Sequence, residues 1–144
     1  MDPESSSTRD TQLAIAHAFL DHLTINTSSV DWAALADLLA ADFTHEYRPA
    51  SLAPPANQRV RNKEEMLQLF ELAWSGFERL EFLPPLDIIQ GQDSIVFHVQ
   101  SDGISKQEGK HYTNEYMLTF RFRGEKIVSV KEFVDSKYSS EFFA

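Results

Sequence analysis

The chain predicts an α+β domain in which helices pack on one face of a curved antiparallel sheet. Three observations carry that expectation. Apolar residues recur at helical spacing in the first half, as in Leu13, Ala16, Leu20 and Leu23. They alternate at a period of two in the second half, most strictly over residues 111–123. The order is α-α-β-α-β-β-β-β, so helices and strands separate into layers. A sheet curled round helices leaves a cone-shaped cavity, the kind of concave, mostly apolar place that ligands favour.

Residues 1–10, MDPESSSTRD, are polar and partly acidic and read as a disordered lead-in to one domain over 11–144. A first helix is expected over 11–26, with Phe19 beside its apolar stripe, and Asn26-Thr27-Ser28-Ser29 ends it. Asp31 or Ser29 caps a second helix whose stripe is Trp32, Leu35, Leu38 and Leu39. Residues 43–48 read as a short strand, with Phe43, His45 and Tyr47 on one face and Pro49 at its end. Residues 50–61 contain Pro54-Pro55 and read as a loop long enough to serve as a lid. Asn62 followed by Glu65 resembles a capping box. It opens a third helix with Met66, Phe70, Ala73 and Trp74 on one face, and Ser75-Gly76 stops it.

Residues 77–90 read as a strand bent by Pro84-Pro85, which suits an edge or a bulge. Over 94–103, Ile95, Phe97 and Val99 alternate with Val96, His98, Gln100 and Asp102. A long hairpin follows a polar connection at 104–108. On its first strand Tyr112, Asn114, Tyr116, Leu118, Phe120 and Phe122 share one face, with a polar end and an apolar end. Gly124 supplies the turn, because glycine takes a positive φ without steric cost. On the returning strand Val128, Val130, Glu132 and Val134 are expected to share a face. Residues 137–144 read as a helical turn that docks Phe142 and Phe143.

Composition narrows the function classes. At 144 residues, 42% hydrophobic and 24% charged, the chain suits one soluble domain with a sizeable core. A net charge of −9 argues against nucleic acid or an anionic membrane as partner, since both select basic surfaces. The chain has no cysteine, which excludes disulfides, thiolate catalysis and cysteine metal sites. No apolar run approaches the ~20 residues that span a bilayer. No secretory or transit signature is present, and the cytosol is the expected location. There is no phosphate loop, dinucleotide fingerprint or nucleophile elbow, so an enzyme reading implies no cofactor.

Glu132 is the most informative residue. A carboxylate in a row of valines is costly to bury unless paired or protonated, which makes it a candidate general base or acid. The alternative is a structural carboxylate paired with Arg or Lys at the sheet edge. Tyr112 and Tyr116 are candidate hydrogen-bond donors to a carbonyl or developing oxyanion, or else core rings with their hydroxyls at the margin. Asn114, between them, is placed to bond Glu132 or to satisfy a buried backbone group. His45 and His98 are candidate proton shuttles, against the commoner structural histidine. Convergence of His45, His98 and Glu132 would suit a metal, but no local ligand spacing supports one. Arg48 stands at the mouth of the expected pocket and would clamp a carbonyl or acidic group, or be solvated. Phe70 and Trp74 read as core or pocket wall.

The element order resembles the nuclear transport factor 2-like superfamily. The segments FTHEYRPASL (43–52), YTNEY (112–116) and KIVSVKEFVDSKYSSEFF (126–143) are similar to a fungal SnoaL-like group that includes isomerases and cyclases. The resemblance spans roughly residues 13–143 and implies a cone of three N-terminal helices on the curved sheet. It implies acid–base chemistry on an apolar polycyclic small molecule. SnoaL-like cyclases carry a catalytic Asp at a position that here looks like Leu118, a departure from a literal cyclase. The general base of limonene epoxide hydrolase looks to fall on Glu132. The two histidines of scytalone dehydratase have possible counterparts in His45 and His98. In the fungal isomerases a Glu on the last strand and tyrosines on the strand before it are the residues of the kind that act. A small-molecule carrier, or a dimeric interaction protein, is the alternative on the same fold. The outward face of the last strand, with Phe133 beside Ser129 and Lys131, offers a homodimer surface in either case.

Overall fold

Among the described residues seven strands make one curved sheet, and helices fill its concave side. A computed structural model describes residues 3–26, 29–52 and 59–144, with residues 3–7 described by their backbone alone. The elements run α1 (Pro3–His22), α2 (Trp32–Asp37), β1 (Leu39–Arg48), β2 (Arg61–Asn62), α3 (Lys63–Trp74), β3 (Phe77–Phe82), β4 (Asp87–Gly91), β5 (Ser94–Ser105), β6 (His111–Arg123), β7 (Lys126–Val134) and α4 (Ser136–Phe142). The strand order is β2-β1-β7-β6-β5-β3, with β4 also paired to β5.

Local signals start α2 and α3 where the sequence places them. Asp31 accepts the Ala34 N–H at 3.0 Å and caps α2. Asn62 and Glu65 form a full capping box at α3, each side chain meeting the other's backbone N–H. Helix α1 begins at Pro3, upstream of the expected start, and takes in residues 3–10 of the lead-in. Proline suits a first helical position, where its missing N–H would have no partner. The C-terminal segment forms a short fourth helix, capped by Asp135 through the Tyr138 N–H.

The sheet departs from a simple antiparallel meander. β1 runs parallel to β7, so the central hairpin is flanked by a strand from much earlier in the chain. Leu39 belongs to this strand and not to the second helix, because it pairs with Ile127 ahead of a bulge in β1. The expected strand over 77–90 is two. β3 pairs with the end of β5 and β4 with its beginning. Pro84 and Pro85 bridge them on the edge, between the Leu83 N–H on Gln100 and the Leu86 N–H on His98. Register shifts between Arg121 and Phe122, opposite Ser129 and Ile127. This bulge leaves Val128 half-buried and gives Ile127 the inward place expected for Val128. The Pro54-Pro55 part of the expected lid lies outside the described residues.

The core sits between α1, α3 and the concave face. Phe19, Phe43, Phe70, Phe97 and Phe120 are fully buried, each contributing about 1.5–3 kcal/mol by removal from water. Phe120 takes the edges of Phe19 and Phe97 at 5.4 Å. Buried Gln12 on α1 donates to Asp93 at 3.0 Å and to the Gly124 carbonyl at 2.9 Å, fastening the helix to two hairpin turns. Gly103 on β5 allows the close crossing of β3, since a Cβ there would lie 2.5 Å from the Arg79 carbonyl oxygen.

Candidate active site

The inward faces of β1, β7 and β6 carry the polar groups, and each strand's alternation decides which. On β7, Val130, Glu132 and Val134 point inward, and Glu132 is 4% exposed. Its cross-strand neighbours are Leu118 on β6 and Tyr47 on β1. On β1, Phe43 and His45 point inward, and His45 is 1% exposed. The parallel pairing of these strands brings His45 Nε2 to 2.5 Å from Glu132 Oε2. The imidazole is wedged edge-on between the rings of Tyr47 (4.7 Å) and Phe70 (5.2 Å).

The surroundings assign the tautomer. His45 Nδ1 is buried and has no hydrogen-bond partner in the protein. A buried N–H without an acceptor is costlier than a bare ring nitrogen, so the ring proton belongs on Nε2, donating to the carboxylate. Glu132 Oε2 is thereby the acceptor.

The polar end of β6 adds three groups. Asn114 Nδ2 donates to the Tyr112 hydroxyl at 2.8 Å and to Ser139 Oγ at 3.0 Å. The Tyr112 and Tyr116 hydroxyls are 3.1 Å apart, and Ser101 Oγ lies 3.0 Å beyond Tyr116. Tyr112 accepts from Asn114, so its own proton is left for Tyr116 or for a ligand. Burial pushes the Tyr116 phenol well up from its usual range and raises that of Tyr112 less strongly. Burial, then the charge of Glu132, also pushes Tyr47 well up. All three phenols therefore stay protonated and act as donors across neutral pH.

These groups converge on a cavity of about 210 Å³. Tyr47, Tyr112, Asn114, Tyr116 and Glu132 form its polar wall. Leu69, Trp74, Leu80, Phe82 and Val134 form much of the apolar remainder. Trp74 is locked in place by its indole N–H on the Leu23 carbonyl at 2.7 Å and by stacking on Phe70.

Other expected residues lie elsewhere. His98 faces outward, 30% exposed at its side chain, and meets Glu115 at 2.5 Å. The alternation that turns Phe97 and Val99 inward turns His98 out, so it cannot meet His45 and Glu132 or touch a ligand in the cavity. Arg48 is solvent-facing and pairs with Glu46 at 3.2 Å. Phe70 and Leu118 are fully buried beneath the cavity wall rather than on it. Asn114 bonds Tyr112 and not Glu132, because β6 pairing sets Leu118 opposite Glu132 and carries Asn114 beyond it. Among the described residues no cluster of three His, Cys, Asp or Glu could hold a metal. Tyr47, Ser101, Ser139 and Phe82 were not singled out by sequence. For Tyr47 the signal was present, two residues after His45 on the same strand face.

Residues 16–130 match the SnoaL-like domain family, and the chain belongs to it. Among solved structures it is similar to PrhC from Penicillium brasilianum, at 20% identity and a TM-score of 0.78 over 93% of this chain and 86% of that one. It is similar to the BvnE pinacolase from Penicillium brevicompactum, at 20% identity and 0.78 over 94% and 90%. An NTF2-like protein from Anabaena variabilis is 23% identical, with a TM-score of 0.71 over 88% and 91%. At these identities the likeness establishes the fold, an NTF2-like cone. No curated protein sequence matches the chain.

Proposed function

We propose that this SnoaL-like chain is an isomerase or cyclase that moves protons within an apolar polycyclic small molecule, an intermediate of fungal secondary metabolism, without a cofactor. One observation carries the reading. A buried carboxylate, held by a histidine, opens on an apolar cavity whose wall also presents protonated phenols. Glu132 takes a proton from a carbon beside a carbonyl. Tyr112 and Tyr116 donate to the oxygen that gains charge, the role preorganised donors play best in a water-poor site. Glu132 then returns the proton at a second atom, so the product is an isomer and the enzyme is restored. His45 holds the carboxylate in line and needs no proton change of its own. The likeness to a protein named a pinacolase supports a rearrangement, and that to two Penicillium proteins supports a fungal setting.

The test is incubation of wild type and Glu132→Gln with a metabolite extract of the source organism, profiled by mass spectrometry. A compound consumed by wild type and held unchanged by the variant is expected. The same compound recovered unchanged from both would make the protein a carrier.

The proposal includes a cytosolic homodimer. Among the described residues no helix is long and apolar enough to cross a membrane. On the convex face Met117 and Phe133 are cross-strand neighbours and both exposed, a suitable centre for a self-complementary contact. Light scattering after size exclusion checks this, and a monomer at high concentration refutes it.

A further inference from the structure

A second hollow lies against the first. It has a volume of about 570 Å³ and lies where the end of α3 meets the β5–β6 connection and the C-terminal residues. Ala73, Phe77 and Phe143 line both spaces. Ala73 and Phe77 belong to regular elements. Phe143 follows α4, is 63% exposed, and packs edge-on against Phe142 at 5.0 Å and tilted against Tyr112 at 5.7 Å. Of the two aromatic rings in the shared wall it is the exposed one, Phe77 being buried.

The sizes decide what the inner space can take. An apolar cavity of about 150 Å³ holds one benzene. At about 210 Å³ the inner cavity encloses a single substituted ring or a compact bicycle, not a polycycle. Ligand sites usually measure about 300–1,000 Å³; the inner space alone falls below that range, and the outer space beside it supplies the missing room. Their chemistry differs as well. The inner wall is apolar apart from Glu132, Asn114, Ser139 and the tyrosine hydroxyls. The outer one is lined by Ser75, Ser105 and Gln107, by Lys106 and Lys110, and by Glu108. Lys110 already uses this place, its ammonium lying 4.5 Å over the Phe142 ring and 3.4 Å from the Phe142 carbonyl oxygen.

We infer that Phe143 is a specificity-determining partition, and that the substrate is an elongated amphiphile spanning both spaces. Its apolar ring end reaches Glu132. Its other end passes Phe143 and carries a carboxylate or similar oxygen-rich group to Lys106 and Lys110. This rests on the proton transfer proposed above at the Glu132 end, and it replaces the wholly apolar polycycle of that reading with a substrate of one or two rings that carries a polar tail.

Calorimetric binding of ω-phenylalkanoates of increasing chain length, each compared with its primary amide, tests the inference. The phenyl group fits the inner cavity, and the acid-to-amide ratio isolates the charge. Short members are expected to bind as acids and amides alike. Members long enough to pass Phe143 are expected to favour the acid by about tenfold, the scale of two solvent-accessible charge contacts. Lys106→Met with Lys110→Met should abolish that preference, and Phe143→Trp should weaken the long acids several-fold more than phenylacetate. An acid preference that is absent, independent of chain length, or untouched by the lysine replacements overturns the inference. Binding is read without turnover, so this outcome is separate from whether Glu132 catalyses.

Discussion

Replacing His45 by Leu should destabilise the fold more than its size suggests, and a second replacement should reverse the loss. The Nε2–Oε2 contact is 2.5 Å, with the side chains 0% and 5% exposed. Removing the donor from a buried hydrogen bond costs about 1–3 kcal/mol, and more when the acceptor left behind is charged. About 3 kcal/mol applies here, the top of the range for a neutral acceptor and modest for a charged one, since Tyr47 lies beside the carboxylate and the cavity opens on it. For a chain of this size that is a fall in Tm of about 6–12 °C. Glu132→Leu orphans the imidazole N–H and should cost about 1–3 kcal/mol. The double variant puts two apolar groups face to face and should lie within about 1 kcal/mol of wild type, or above it. Urea unfolding followed by circular dichroism measures all four proteins. A His45→Leu loss below about 1 kcal/mol, or a double variant whose loss is the sum of the singles, would refute the description of the pair as a buried, mutually dependent unit.

Three further outcomes follow from the packing and the phenols. Gly103→Ala should lower stability by about 1–3 kcal/mol, since the new Cβ meets the Arg79 carbonyl oxygen at 2.5 Å; an unchanged urea midpoint would mean β3 can move away freely. Trp74→Phe removes the donor to the buried Leu23 carbonyl and should cost about 1–3 kcal/mol by the same measurement. Tyr47, Tyr112 and Tyr116 have phenols raised in the folded state, so folding is unaffected by them below the unfolded phenol value of about 10 and weakens as pH rises above it. Ultraviolet phenolate titration should show their ionisation delayed until alkaline unfolding, and ionisation of all of them in the native state near pH 10 would contradict this.

Strand alternation made much of the site legible. Strict alternation over β6 put Tyr112, Asn114 and Tyr116 on one inward face, where they are. A carboxylate among valines marked Glu132. Both cap signals, at Asp31 and Asn62, are local and were readable as such. What could not be read was the pairing of distant strands. His45 and Glu132 are 87 positions apart and meet through the parallel β1–β7 ladder, which no local pattern announces. The bulge opposite Arg121 and Phe122 was hidden for the same reason, and it moved Val128 off the inward face. His98 is different, because its outward placement followed from the inward phase of Phe97 and Val99. Phe70 and Leu118 were assigned to the correct face but not the correct depth, since periodicity gives direction and not distance from a cavity.

The central claim is that Glu132 is a working base inside an apolar cavity, and nitrobenzisoxazole tests it without knowledge of the natural substrate. A base removes its ring C–H proton, the N–O bond breaks, and a coloured nitrile-bearing phenolate forms. The molecule is a compact bicycle of the size the inner cavity takes. Wild type is predicted to convert it with saturation. Glu132→Gln keeps a polar group beside His45 but has no basic oxygen, and is predicted to lose about 10²–10⁴-fold in kcat, the usual contribution of a positioned base. Equal rates for the two proteins would contradict the claim.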